Sequence, residues 1–157
     1  MFRLGKILFI AILACLTSCS SDDGDEEFGM RSYSVPQVPL DIEKERLVLV
    51  ESEAELNRIF AGHTKELLSI DFSTSKLLLI HGSHYKQVKA IILDSFYKYK
   101  SDDYYSMIVR VEEEDIDKDC YWTAAYLVPR RFYTPIRLNL SIPRYHYFDY
   151  TWLYFEK

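Results

Sequence analysis

The chain has 157 residues with 48% hydrophobic and 15% aromatic content, enough apolar material for one packed domain and too much for an intrinsically disordered polymer. Its 19 basic and 24 acidic side chains leave a formal charge of −5, so no basic stripe is available to neutralise phosphates and nucleic-acid binding is excluded. Three cysteines are too few, once their positions are considered below, for a disulfide scaffold.

Met1 to Lys6 carries Arg3 and Lys6 and no acid, and the apolar run Ile7 to Leu16 follows. Positive charge ahead of a short apolar stretch is the layout of a signal peptide, expected over residues 1–18. The run is about half of the roughly 20 residues needed to span a bilayer, so it does not read as a permanent membrane span. Leu16-Thr17-Ser18-Cys19 resembles the lipobox of bacterial lipoproteins. The resemblance implies a lipid on the Cys19 thiol, cleavage before it, and a membrane as the first partner.

Ser20, Ser21, Asp22, Asp23, Gly24, Asp25, Glu26 and Glu27 follow, five carboxylates without one base. Such a run buries nothing and reads as a solvated tether. It also resembles the acidic export signal of surface lipoproteins of the Bacteroidota, which implies an outer-membrane protein facing the cell exterior. From Phe28 onward 17 bases stand against 19 acids, so most of the charge excess belongs to the tether. Cys15 leaves with the leader and Cys19 takes the lipid, which leaves Cys120 without an intramolecular partner and expected as a small buried hydrophobe.

Residues 19–45 are expected to form the lipidated cysteine, the tether and an irregular linker containing Pro36 and Pro39, with the globular domain over 46–157. Leu47 to Val50 predicts a strand. Ser52-Glu53-Ala54-Glu55 predicts a capping box, with Leu56, Ile59 and Phe60 on one helix face and Gly62 as the stop. Lys76 to His81 predicts a fully buried strand ended by Gly82-Ser83. Val88–Tyr99 and Tyr104–Glu112 alternate as two strands joined by Ser101-Asp102-Asp103, with Met107, Val109 and Val111 on one face. Glu112 to Asp119 reads as a turn, Tyr121 to Val128 as a strand stopped by Pro129, Ile136 to Ile142 as another, and Tyr150 to Phe155 as the last. One helix ahead of sequential hairpin-linked strands predicts an α+β domain with a mainly antiparallel sheet.

Val50-Glu51-Ser52, the helix ending at Phe60, Ile70-Asp71-Phe72-Ser73, Lys76 to Ile80 and Leu127-Val128-Pro129 together resemble the PrcB C-terminal-type domain. That domain is found in small bacterial envelope lipoproteins, including an accessory subunit of a surface protease complex. The resemblance spans about Arg46 to Ile142 and implies a non-catalytic role, binding or stabilising another envelope protein.

The residues supply little assembled chemistry. His81 and His84 could begin a zinc site, but no HExxH or cysteine pair completes it, and they are expected as partly exposed turn histidines with no metal and no cofactor. Asp115, Asp117 and Asp119 have the acid spacing of a calcium loop, yet Cys120 and Tyr126 stand where glycine and glutamate are needed, so a solvated acidic loop is expected. No GxSxG elbow occurs, and Ser83 beside His84 is not a triad, so no catalytic residue is assigned.

Residues 120–157 hold 12 of the 24 aromatics. Tyr150, Trp152 and Tyr154 are expected to pack on a sheet face, while Arg130, Arg131, Tyr145 and Tyr147 are the candidate partner surface, because arginine and tyrosine are favoured at contact sites. Two functions follow: an accessory lipoprotein that binds a protein, or a surface lipoprotein whose aromatic rings bind a glycan. A small hydrolase using two carboxylates is the third.

Overall fold

The computed structural model describes residues 30–40, 42, 47–98, 101–142 and 145–154. Cys19 and the acidic run Ser20 to Glu27 lie outside the described residues. The chain forms β1 (Arg31–Ser32), β2 (Leu47–Val50), α1 (Glu53–Ile59), β3 (Ser75–Tyr97), β4 (Tyr105–Pro129), β5 (Ile136–Ile142) and β6 (Tyr145–Leu153).

The strands make one six-stranded sheet ordered β2-β3-β4-β5-β6, with β1 added on β4. The expected α+β class is therefore corrected to a largely β protein, and the expected antiparallel sheet to a mixed one, since β5 runs parallel to β4. α1 is a single seven-residue helix beside this sheet.

The physical reason lies in β3 and β4. The four strands expected between Lys76 and Val128 are two, 23 and 25 residues long, paired as a hairpin from Ser75↔Pro129 to Tyr97↔Ser106. Gly82-Ser83 is not a strand end, and Glu112 to Asp119 is not a turn. Gly82 pairs with Trp122 inside the ladder, and the acids face nitrogen-bearing side chains across it: Glu113 meets His84, Asp115 and Asp117 meet Lys86, and Glu114 meets Gln87. Opposite charges on facing strands stabilise a ladder that the same residues would interrupt if unpaired. Register shifts between His84 and Ala90 and again between Leu93 and Ser95 bend the hairpin.

Straight, β4 would measure roughly 80 Å at about 3.3 Å per residue. Yet only six residues separate the end of β4 from the start of β5, which pairs with β4's beginning, Tyr105↔Ile136 to Arg110↔Ser141. Seven Cα steps reach roughly 25 Å at most. β4 must therefore coil until its ends meet, and its own second half supplies the long crossover that parallel pairing requires. The bond from Tyr105 N–H to Pro135 O, 2.8 Å, and the packing of Phe132 on Tyr105 mark the meeting point.

The coiled sheet encloses a core. Leu78, Ile80, Trp122, Ala124, Tyr126 and Val128 from one half of the hairpin pack with Met107, Val109, Val111 and with Ile136, Leu138 and Leu140 of β5. A second core forms outside, where Leu77 and Leu79 meet Val50, Tyr33 and the helix residues Leu56, Ile59 and Phe60. Alternate residues of Leu77 to Ile80 thus feed two cores, which is why that run is continuously apolar. The helix is capped as its sequence dictates: Ser52 Oγ accepts from Glu55 N–H, and Glu55 reaches back to Glu51 N–H at 3.0 Å. Gly62 adopts φ +86° in the turn after the helix, a conformation that favours glycine.

The segment ahead of residue 46 contributes too. β1 pairs with Tyr126 and Leu127, Tyr33 is buried, and the Gln37 carboxamide accepts from Thr123 N–H (2.8 Å) and donates to Thr123 O (2.9 Å).

Candidate functional site

Arg130 is placed as a clasp. Its guanidinium donates to Glu51 O at 2.9 Å and Phe72 O at 3.2 Å, and its N–H bonds Thr74 O, so it ties the end of β4 to the loops around α1. Arg131 next to it is exposed. Tyr145 begins β6 opposite Ile142, whereas Ile136, nearest to the two arginines in sequence, pairs with Leu153. The arginines and the tyrosines thus flank opposite ends of β5, roughly 20 Å apart along the strand. The side chains of Tyr145 and Tyr147 lie outside the described residues.

A different set of rings comes together at the Leu153 end of β6. Leu153 turns to the core, so by strand alternation Trp152 turns away from it. Trp152 pairs across the ladder with Arg137 of β5, and Arg137 pairs with Ser106 of β4, which aligns the three side chains in a row. The guanidinium lies 4.9 Å from the Tyr104 ring and 6.0 Å from Trp152, within cation–π range. Tyr104 meets Trp152 edge to face at 4.9 Å, and Tyr154 lies nearly parallel to Trp152 at 5.7 Å. Trp152 is 40% and Tyr154 68% exposed. The expectation that Trp152 and Tyr154 pack on a sheet face is corrected: both rings remain exposed and touch each other, with Tyr104 against the indole edge to face.

The second cluster sits at the bend of the hairpin. His84 is buried, not a turn residue, and its Nε2 lies 2.6 Å from Glu113 Oε2. The acids from Glu112 to Asp117, expected as a loop, form the other wall of the same ladder. Asp117, then Asp115, hold the Lys86 ammonium charged and push its pKa up. Arg110 is raised in the same way by Asp94 and then Glu112. Burial pushes the His81 imidazole below its ordinary value, partly offset by a bond to the Trp122 backbone, and its Nδ1 lies 3.0 Å from Thr123 Oγ1. Cys120 is partly exposed, and its thiol lies 3.1 Å from Lys86 O.

Beside this cluster a cavity of about 610 Å³ opens between Gln87–Ile91 on β3 and Lys118–Trp122 on β4, with Gln37 at its rim. Among the described residues no group of three His, Cys, Asp or Glu side chains converges to hold a metal ion, and no helix is long and apolar enough to cross a membrane. Comparison of the chain with protein-family models, with curated proteins and with solved structures finds no match.

Proposed function

We propose that the chain is a non-catalytic cell-envelope lipoprotein, held by lipid on Cys19 and exported by the acidic run after it, that binds or stabilises another envelope protein. The observation that carries this reading is the group formed by exposed Trp152 and Tyr154 with half-buried Tyr104 around Arg137. Tryptophan, tyrosine and arginine dominate contact energy at protein interfaces. Here the ladder holds Trp152 and Arg137, and Tyr104 and Tyr154 pack against the indole, which limits the side-chain entropy lost on contact. The resemblance of Arg46 to Ile142 to an accessory envelope domain supports the same reading.

A glycan is the second reading, favoured by the nearly parallel faces of Trp152 and Tyr154, which suit the flat apolar side of a sugar ring. Both are tested by affinity capture from an envelope extract with the full-length chain and its Trp152→Ala/Tyr154→Ala variant. One protein retained by the native chain and released by the variant supports the accessory reading. Recovery of polysaccharide alone moves the assignment to the glycan, and equal recovery by both chains removes the aromatic group from the site.

A further inference from the structure

The sheet is not closed along its whole length. On its outer edge β4 is paired by β5 at Tyr105–Arg110 and by β1 at Tyr126–Leu127. Between them, among the described residues, Tyr33 N–H bonds Ala125 O and the Gln37 carboxamide bonds Thr123. Beyond Thr123 the described residues provide no further backbone partner on this edge. Residues two apart in a strand direct their N–H and C=O to the same side. Since Ala125 O and both groups of Thr123 point outward, so do the N–H and C=O of Tyr121.

Tyr121 lines the 610 Å³ cavity, and Gln37 stands at its rim. Gln37 therefore fills one position of an antiparallel ladder with a side-chain amide, and the cavity begins where the next position falls. A primary amide presenting N–H and C=O together is the nearest side-chain copy of a peptide unit. The far wall is Gln87–Ile91 of β3, whose edge away from β4 is paired, among the described residues, only by Leu47–Val50 opposite Leu77–Ile80. Val88, Ile91 and Trp122 supply an apolar side that joins the inner core. Lys89 on β3 and Lys118 on β4 stand on opposite walls, and Asp119 lies on the β4 wall beside Lys118.

We infer that this slot receives an extended peptide segment, which pairs its backbone with Tyr121 and continues the line of β1. The segment alternates, with small apolar side chains turned toward Val88, Ile91 and Trp122 and neutral or acidic ones toward Lys89 and Lys118. Main-chain bonds supply the affinity, and alternate side chains supply the selectivity. The slot is separate from the aromatic group at Trp152 and does not depend on the protein's location.

The test is to pan a phage-displayed library of random linear dodecapeptides against the full chain, then synthesise the enriched peptides and measure their binding. Enriched sequences are expected to alternate, and N-methylation of alternate residues should weaken binding at least tenfold in one register and little in the other. Tyr121→Pro removes the edge N–H without touching a bond to β3 and should weaken binding at least tenfold. Ala90→Trp, which fills the slot, should do the same and covers the case in which the proline variant misfolds. Binding unchanged by N-methylation, or no enrichment over the Ala90→Trp chain, overturns the inference. Loss of peptide binding in Trp152→Ala/Tyr154→Ala with retention in Ala90→Trp also overturns it and moves the peptide to the aromatic group.

Discussion

A Cβ on Gly82 would stand 2.5 Å from Cζ2 and 2.7 Å from Cε2 of Trp122, its partner in the β3–β4 ladder. The glycine is there because the indole lies across its Cα, filling the inner core where a side chain would otherwise be. Gly82→Ala is expected to destabilise the fold by about 1–3 kcal/mol through overpacking. Combined with Trp122→Leu it should cost less than the sum of the two single changes, because the smaller side chain vacates the space. Urea denaturation of the four chains measures this, and strict additivity would show that the two residues do not compete for volume.

His84 and Glu113 tie the hairpin together at its bend, with side chains only 3% and 9% exposed. His84→Ala should cost about 3 kcal/mol, as removal of one member of a buried polar pair generally does. His84→Phe/Glu113→Leu should recover most of that loss by replacing the pair with apolar contact. Thermal or urea unfolding provides the comparison, and a double variant as unstable as His84→Ala would show that the pair holds the bend in a way packing cannot replace.

The His81 imidazole is pushed down by burial, so the folded chain prefers it neutral while the unfolded chain takes up a proton near the ordinary value of about 6.5. The unfolded state then binds more protons as the solution is acidified, and stability falls with pH below that value. The contribution is fully present above it. Melting temperature should therefore drop between about pH 7.5 and about pH 5, and His81→Gln should drop less. Parallel curves for the two chains would remove His81 as a source of acid sensitivity.

The sequence announces the local elements well and the closure of the sheet poorly. Leu47–Val50, the capped helix with Leu56, Ile59 and Phe60 buried, and the inward row Met107, Val109 and Val111 follow from periodicity and capping, and the structure places them as read. What spacing hides is everything set across strands. Gly82 and the acids from Glu112 to Asp117 have the composition of breakers, yet they sit in the ladder because Trp122, His84, Lys86 and Gln87 face them from the other strand. The parallel pairing of β5 depends on how far β4 coils, which no local pattern records.

The site divides in the same way. An aromatic-rich tail is visible in composition, but which rings are exposed depends on which face of β6 meets the core, set by Leu153 packing inward and Trp152 pairing with Arg137. Arg130 illustrates the converse, since an arginine suited to an interface is instead spent on the carbonyls of Glu51 and Phe72. The cavity beside Tyr121 left no linear mark at all, because its walls are separated by more than two dozen residues and meet only at the bend.

A lipid at Cys19 is the foundation of the proposed function, and one experiment reaches it: radiolabelled palmitate fed to cells expressing the full chain or Cys19→Ala, followed by membrane fractionation and protease shaving of intact cells. The native chain is expected to carry label, to sediment with membranes and to be digested from outside, while Cys19→Ala loses label and leaves the membrane fraction. A native chain without label, or a Cys19→Ala chain still bound to membranes and labelled, would contradict the lipoprotein reading.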